Sequence, residues 1–223
     1  MGVLGVDGCR GGWLAAELDD DDQVTWRWTG DIQELLRRSA DVVAIDIPIG
    51  LPDSGIRSCD VQARAALGRR GVTVFPAPLR PVLGCTTYAE ARRLLAAAGG
   101  RSMSAQAFGI VAAVRQVDAA ITPADEARVV EAHPELAFAR MGDAVALPGK
   151  RTVDGAALRV QRLATWLPAV ATIVANVPAR AGPDDALDAL ACAWVARRWR
   201  AGTACVLGDG ARDSRGLVMR IAA

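Results

Sequence analysis

Residues 42–47 read VVAIDI, a run with the composition of a buried strand that nevertheless carries an aspartate, Asp46. Strand interiors are depleted in Asp. A lone ionised carboxylate there is costly or titrates to neutral unless something pairs with it. Any fold this chain adopts must therefore bring a partner to Asp46. The segments around it indicate what kind of fold that is. Residues 2–6 form a short apolar strand ending at Asp7, the glycine-rich GCRGG turn follows, and residues 13–18 and 24–28 make two further strands. The DDDD run at 19–22 separates those two and reads as a solvated hairpin turn rather than a metal site. Asp31 caps a short helix, DIQELLRRSA, ahead of the 42–47 strand. Three meandering strands, a helix and a buried strand predict an α/β fold.

The middle of the chain has a different texture. Residues 51–123 contain no clear strand but three helical stretches, CDVQARAALG, TYAEARRLLAAAG and SAQAFGIVAAVRQVDAAI, the last with Ser104 as N-cap. VFPAP, at 74–78, lies in a proline-locked loop between them. This stretch reads as a helical insertion in a single domain covering residues 1–223. Beta structure returns at RVVEAHPEL, a helix follows over about 155–166, and DDALDALACAWVARRWR after Pro183 is the clearest helix of all. TACVLGDGARDSRGLVMRI then reads as two short strands around a Gly/Asp turn.

Charge and cysteine content narrow the function classes. A net charge of +1 supplies no overall basic field toward nucleic acid or an anionic membrane. Lys150 is the only lysine, and the arginine bias follows a GC-rich genome more readily than phosphate binding. Five scattered cysteines without a CxxC pair, and no basic, apolar leader at the N-terminus, predict reduced thiols in a cytoplasmic protein. No two cysteines have zinc-ligand spacing. The longest apolar stretch, 166–179, is interrupted by Pro168 and Pro178 and is too short to span a bilayer.

Carboxylates recur where core elements would not want them. Asp7 ends the first strand, Asp46 lies in a later one, and Asp188 sits in a helix otherwise built of Ala, Leu, Val and Trp. Asp184 and Asp185 suit the first turn of that helix, where acids complement the dipole, and Asp185 shares a face with Asp188. Glu131 follows the apolar lead-in of EAHPE, with Glu135 on the same side if the segment is extended and His133, the only histidine, between them. The two glutamates would raise the His133 pKa if close, suiting it to shuttle a proton. Carboxylates that face one another repel, and a hard divalent ion relieves the repulsion. The expectation is that Asp46 pairs with Mg²⁺ or Mn²⁺ beside Asp7, Glu131 and Asp188, with Asp185 as substitute and one or two ions in place. Candidate phosphate contacts are Arg57, Arg64, Arg69, Arg70 and Arg80, with Lys150 and Arg159 in GKRTVDGAALR.

Taken in order, GVDGCRGGW, AIDIPIGLP, VFPAP, EAHPELAF and DDALDALACAW resemble the DUF429 family of predicted RNase H-like nucleases. The resemblance implies an RNase H-like mixed sheet flanked by helices. Its first strand would carry Asp7, a central strand Asp46, and the last helix Asp185 or Asp188, with Glu131 and His133 added by EAHPE. It implies a metal-dependent phosphodiester hydrolase acting on nucleic acid or a nucleotide-like phosphate ester. Two other readings compete. One is a non-catalytic RNase H-like module that binds a ligand or partner. The other is an ATP-handling phosphotransferase of the actin and sugar-kinase type, which the Asp-then-glycine turn of GVDGCRGG evokes. The chain is short for two such domains, and it lacks the GxxxxGK[ST] loop.

Overall fold

The computed structural model describes residues 2–99, 102–142 and 147–223. Its centre is a five-stranded mixed sheet in the order β3-β2-β1-β4-β5. Strands β1 (Val3–Cys9), β2 (Gly12–Leu18) and β3 (Val24–Thr29) form an antiparallel meander. Helix α1 (Ile32–Leu36), capped by the Asp31 side chain, then carries the chain to β4 (Val42–Ile45), which lies parallel to β1. The fifth strand, β5 (Val129–Glu131), adds in parallel to β4. This is the α/β class and the mixed sheet expected from the sequence.

Differences from the sequence reading are local. β1 runs through Asp7 to Cys9, because a tight turn at Arg10 and Gly11, with Gly11 at φ 80°, lets β1 and β2 pair to their ends. The acidic run is the expected hairpin turn: the Asp19 carboxylate accepts from the Asp21 and Gln23 amides at 2.9 and 2.8 Å. Between β4 and β5 the described residues form helices and 3₁₀ turns without a strand. The helices are α2 (Ser58–Leu67), α3 (Tyr88–Ala97), α4 (Ala105–Gly109) and α5 (Val111–Ala120). Ser104 caps α4 as expected, but the single helix read over 104–121 is broken at Ile110, immediately after Gly109. The break lets α5 turn Val114 and Val117 onto the sheet beside Val6, Val43 and Ile45. Part of the helical insertion is thus the layer that closes one face of the sheet.

The other face is closed by α6 (Pro134–Arg140), α7 (Val153–Ala164), α8 (Val170–Ala175) and above all α9 (Pro183–Arg200). A short antiparallel pair, β6 (Val206–Leu207) and β7 (Ile221–Ala222), completes the chain. No helix among the described residues is long and apolar enough to cross a membrane.

Alternation along β1 divides its residues between the two faces. Leu4 and Val6 point toward α1 and α5, so Val3, Gly5 and Asp7 point toward α9. At Gly5 the α9 backbone lies directly on the strand, and a Cβ there would fall on the carbonyl of Ala189 and the amide of Ala193. Small residues on α9, among them Ala186, Ala189, Ala193 and Ala196, are buried along this contact. Gly5→Ala is expected to lower unfolding free energy by about 3 kcal/mol through overpacking, read as a reduced midpoint in urea. An unchanged midpoint would show that the close strand–helix approach is not obligatory.

Candidate active site

The parallel register pairs Val6 with Ile45, and the Asp46 amide continues it by donating to the Val6 carbonyl at 2.9 Å. Asp46, just past the end of β4, therefore stands beside Asp7 of β1, on the face that α9 covers. Asp188, one turn into α9 beyond the capping residues, arrives opposite because Ala189 packs on Gly5. Asp7 and Asp188 are buried and Asp46 is half-buried. Among the described residues no hydrogen-bond donor reaches the Asp7 or Asp46 carboxylates, whereas Lys150 Nζ lies 2.5 Å from Asp188 Oδ2. A single ammonium thus faces three carboxylates.

The energetics follow from that imbalance. Burial raises the Asp7 pKa well above the ordinary range, and repulsion from Asp46 and Asp188 adds to it against the pull of Lys150. Burial likewise pushes Asp46 up to about 7 and Asp188 up to about 6, while Lys150 draws both down. Asp188 above all, with Asp7 and Asp184, raises the Lys150 pKa despite its own burial, so it stays charged.

Glu131 does not join them. Both of its oxygens are taken by Arg57, at 2.6 and 2.8 Å, and Oε2 also accepts from the Ile49 amide at 2.7 Å. The strand ends at Glu131 and the extended backbone runs on only through His133, because Pro134 opens α6 at its first position, where a missing amide costs nothing. The helix carries Glu135 inward instead, and it is Glu135 whose charge is felt by Asp46 and Asp188. Glu135 is held by Arg159 at 2.5 Å and Arg70 at 3.2 Å. A proline immediately after His133 was the signal for this turn. His133 is the N-cap of α6, with Nδ1 buried and without a hydrogen-bond partner among the described residues. Burial lowers its pKa and outweighs the opposing pull of Glu135 and Asp188, so it is neutral near pH 7. Asp185 keeps its capping role, with Oδ2 accepting from the Gly182 amide at 2.8 Å, and its charge also reaches Asp7.

The candidate phosphate contacts separate sharply. Arg57 is 2% exposed. Its guanidinium is spent on Glu131, on Asp60 and on the carbonyls of Ile49 and Gly50, so it is unavailable to substrate. Asp60 Oδ2 in turn accepts from the Ala77 amide at 3.0 Å. This one buried network ties together IPIG, α2, VFPAP and the start of EAHPE. Arg159, also buried, is held by Glu135 and by the carbonyls of Gly155 and Pro148. Arg80 is committed to Asp118 and Asp213. Arg64 and Arg69 are exposed, with Arg64 Nη1 on the Val74 carbonyl at 3.2 Å. Arg70 is half-buried and pairs with Glu135, and a Cβ added at Gly149, the residue before Lys150, would lie 4.0 Å from its Nη1. Arg70 and Lys150 are therefore the two candidates that border the acidic cluster.

The donor set is all oxygen, which suits Mg²⁺ or Mn²⁺ better than a softer ion. Among the described residues, no three His, Cys, Asp or Glu side chains are grouped to enclose a metal ion.

Two measurements test this description. Acids with raised folded pKa values bind protons more tightly in the folded state than in the unfolded chain. Their stabilising contribution is full below the ordinary value of 3.8 and is lost as pH climbs through about 6 and about 7. Metal-free stability should therefore fall from about pH 4 to about pH 7 by urea denaturation, and Asp46→Asn should flatten that decline. Glu131→Gln should cost about 3 kcal/mol or more, by stranding buried Arg57 with one partner fewer, in any buffer and without regard to metal.

The comparisons with known proteins add a family and nothing further. A family model described as "Protein of unknown function (DUF429)" matches residues 5–212. No curated protein and no solved structure matches the chain.

Proposed function

Since this chain belongs to the DUF429 family, described only as of unknown function, we propose its activity from the site itself: divalent-metal-dependent hydrolysis of phosphodiester bonds on an RNase H-like core. The observation that carries the proposal is the convergence of Asp7, Asp46 and Asp188 from two parallel strands and a helix, with Lys150 as the single cation facing them among the described residues. Buried acids held in mutual repulsion are an unfavourable arrangement unless the protein uses it. Their raised pKa values mean that the cluster gains from added positive charge.

In this reading Asp7, Asp46 and Asp188 hold one or two Mg²⁺ or Mn²⁺ ions, with Asp185 near enough to assist. Bound there, such an ion supplies charge neutralisation for the phosphodiester and a more acidic attacking water. Arg70 and Lys150 at the border receive substrate phosphate. His133, neutral near pH 7, is suited to accept a proton at one ring nitrogen. Arg57, Glu131 and Asp60 brace the loop after β4, which follows Asp46, and so position the cluster without touching substrate. The substrate class is nucleic acid or a nucleotide-like phosphate ester. The five cysteines, none in a disulfide, accord with a cytoplasmic setting.

One observation favours the second reading, a non-catalytic module. Lys150 already pairs with Asp188, which makes a cluster that is partly neutralised without any ion. Cleavage separates the two. Labelled single-stranded, duplex, hybrid and junction substrates, together with a small phosphodiester, are incubated with the protein in Mg²⁺ or Mn²⁺ beside Asp46→Asn. The expected result is metal-dependent cutting, reduced at least about a hundredfold by the substitution in a variant that still melts cooperatively. Absence of cutting on every substrate would favour the binding module.

A further inference from the structure

Lys150 is the only lysine among 26 basic residues, and it is the one placed on the acidic cluster. Among the described residues the other paired buried acids are held by arginine, as with Arg57 on Glu131 and Asp60 and Arg159 on Glu135. The two side chains are not interchangeable. An ammonium is a compact, strongly hydrated point charge on a flexible stem, while guanidinium is a rigid planar fork suited to bidentate pairing. The backbone that delivers Lys150 is braced. The Gly149 carbonyl accepts from the Thr152 amide and hydroxyl at 2.9 and 2.8 Å, and Arg159 holds the Pro148 carbonyl at 3.1 Å. The side chain itself is 36% exposed, so its end has solvent to retreat into. Asp188 is buried and cannot follow it.

Resting on the metal reading above, we infer that Lys150 is a tethered cation that holds the acidic cluster in the metal-free protein and competes with a divalent ion for Asp188. Two like charges on one carboxylate repel, so ion binding displaces the ammonium from Asp188 Oδ2. The displaced group remains tethered at the border of the cluster, its backbone next to Gly149, on whose side Arg70 Nη1 lies. There it presents a second positive charge to a substrate phosphate. Metal entry thereby converts Lys150 from a partner of carboxylate into a partner of phosphate, and the phosphate-binding border is complete only when the ion is in place.

Calorimetric titration of Mn²⁺ into the chelator-treated full chain tests this, comparing wild type with Lys150→Met and Lys150→Arg, with melting in EDTA as a second readout. Lys150→Met should bind Mn²⁺ about tenfold more tightly than wild type, within the usual range of coupling between two ligands. It should also melt lower in EDTA, and Lys150→Arg should recover that loss by keeping a charge on the cluster. Equal or weaker Mn²⁺ affinity in Lys150→Met, with wild type still binding, would overturn the competition and leave the metal reading intact. Mn²⁺ bound by none of the three proteins would sink the metal reading and this inference with it.

Discussion

The backbone contact between β1 and α9 is the constraint on which the rest of the molecule depends. A strand and a helix can touch this closely only where neither carries a side chain of any size between them. Gly5 and the alanines of α9 provide that condition. The contact sets the height of α9 on the sheet, and that height decides that Asp188 meets Asp7 and Asp46 rather than solvent. A larger residue at position 5 would raise the helix and part the carboxylates without changing any of them.

Buried charge is handled in two ways within a few residues of each other. Around Glu131 and Asp60 the carboxylate oxygens are met by Arg57 or by backbone amides, so the charge is compensated and the network works as a brace. Around Asp7, Asp46 and Asp188 the compensation is left incomplete, with one ammonium for three acids. The contrast is informative because burial is similar in both places. What differs is whether the chain provides partners of its own, and where it does not, an external cation has something to gain.

Much of this was legible in the residues. The meander, the buried strand read over 42–47, which the structure ends at Ile45, and the final helix follow from apolar patterning and caps, and Asp7, Asp46 and Asp188 stood out because each interrupts such a pattern. Glu131 was misjudged for a physical reason. Sequence shows that an acid follows an apolar strand, but not whether an arginine 74 positions earlier returns to take both its oxygens. Arg57 was misjudged for the same reason seen from the other side: an arginine in a helical insertion looks solvated until the loop after β4 folds over it. Glu135 was within reach, since proline at the first turn of a helix is a local signal.

Local chemistry in the sequence by itself determined which elements form, which acids sit at strand ends and within the last helix, and that a partner must be found for Asp46. These are matters of patterning over a few residues, where propensity and burial act on the same short segment. Only the tertiary structure decided which partner each charge meets. Lys150 reaches Asp188 across 38 positions, and Arg57 reaches Glu131 across 74. Pairing over such separations is set by how the helices pack on the sheet, and the close approach at Gly5 governs that packing for the acidic cluster.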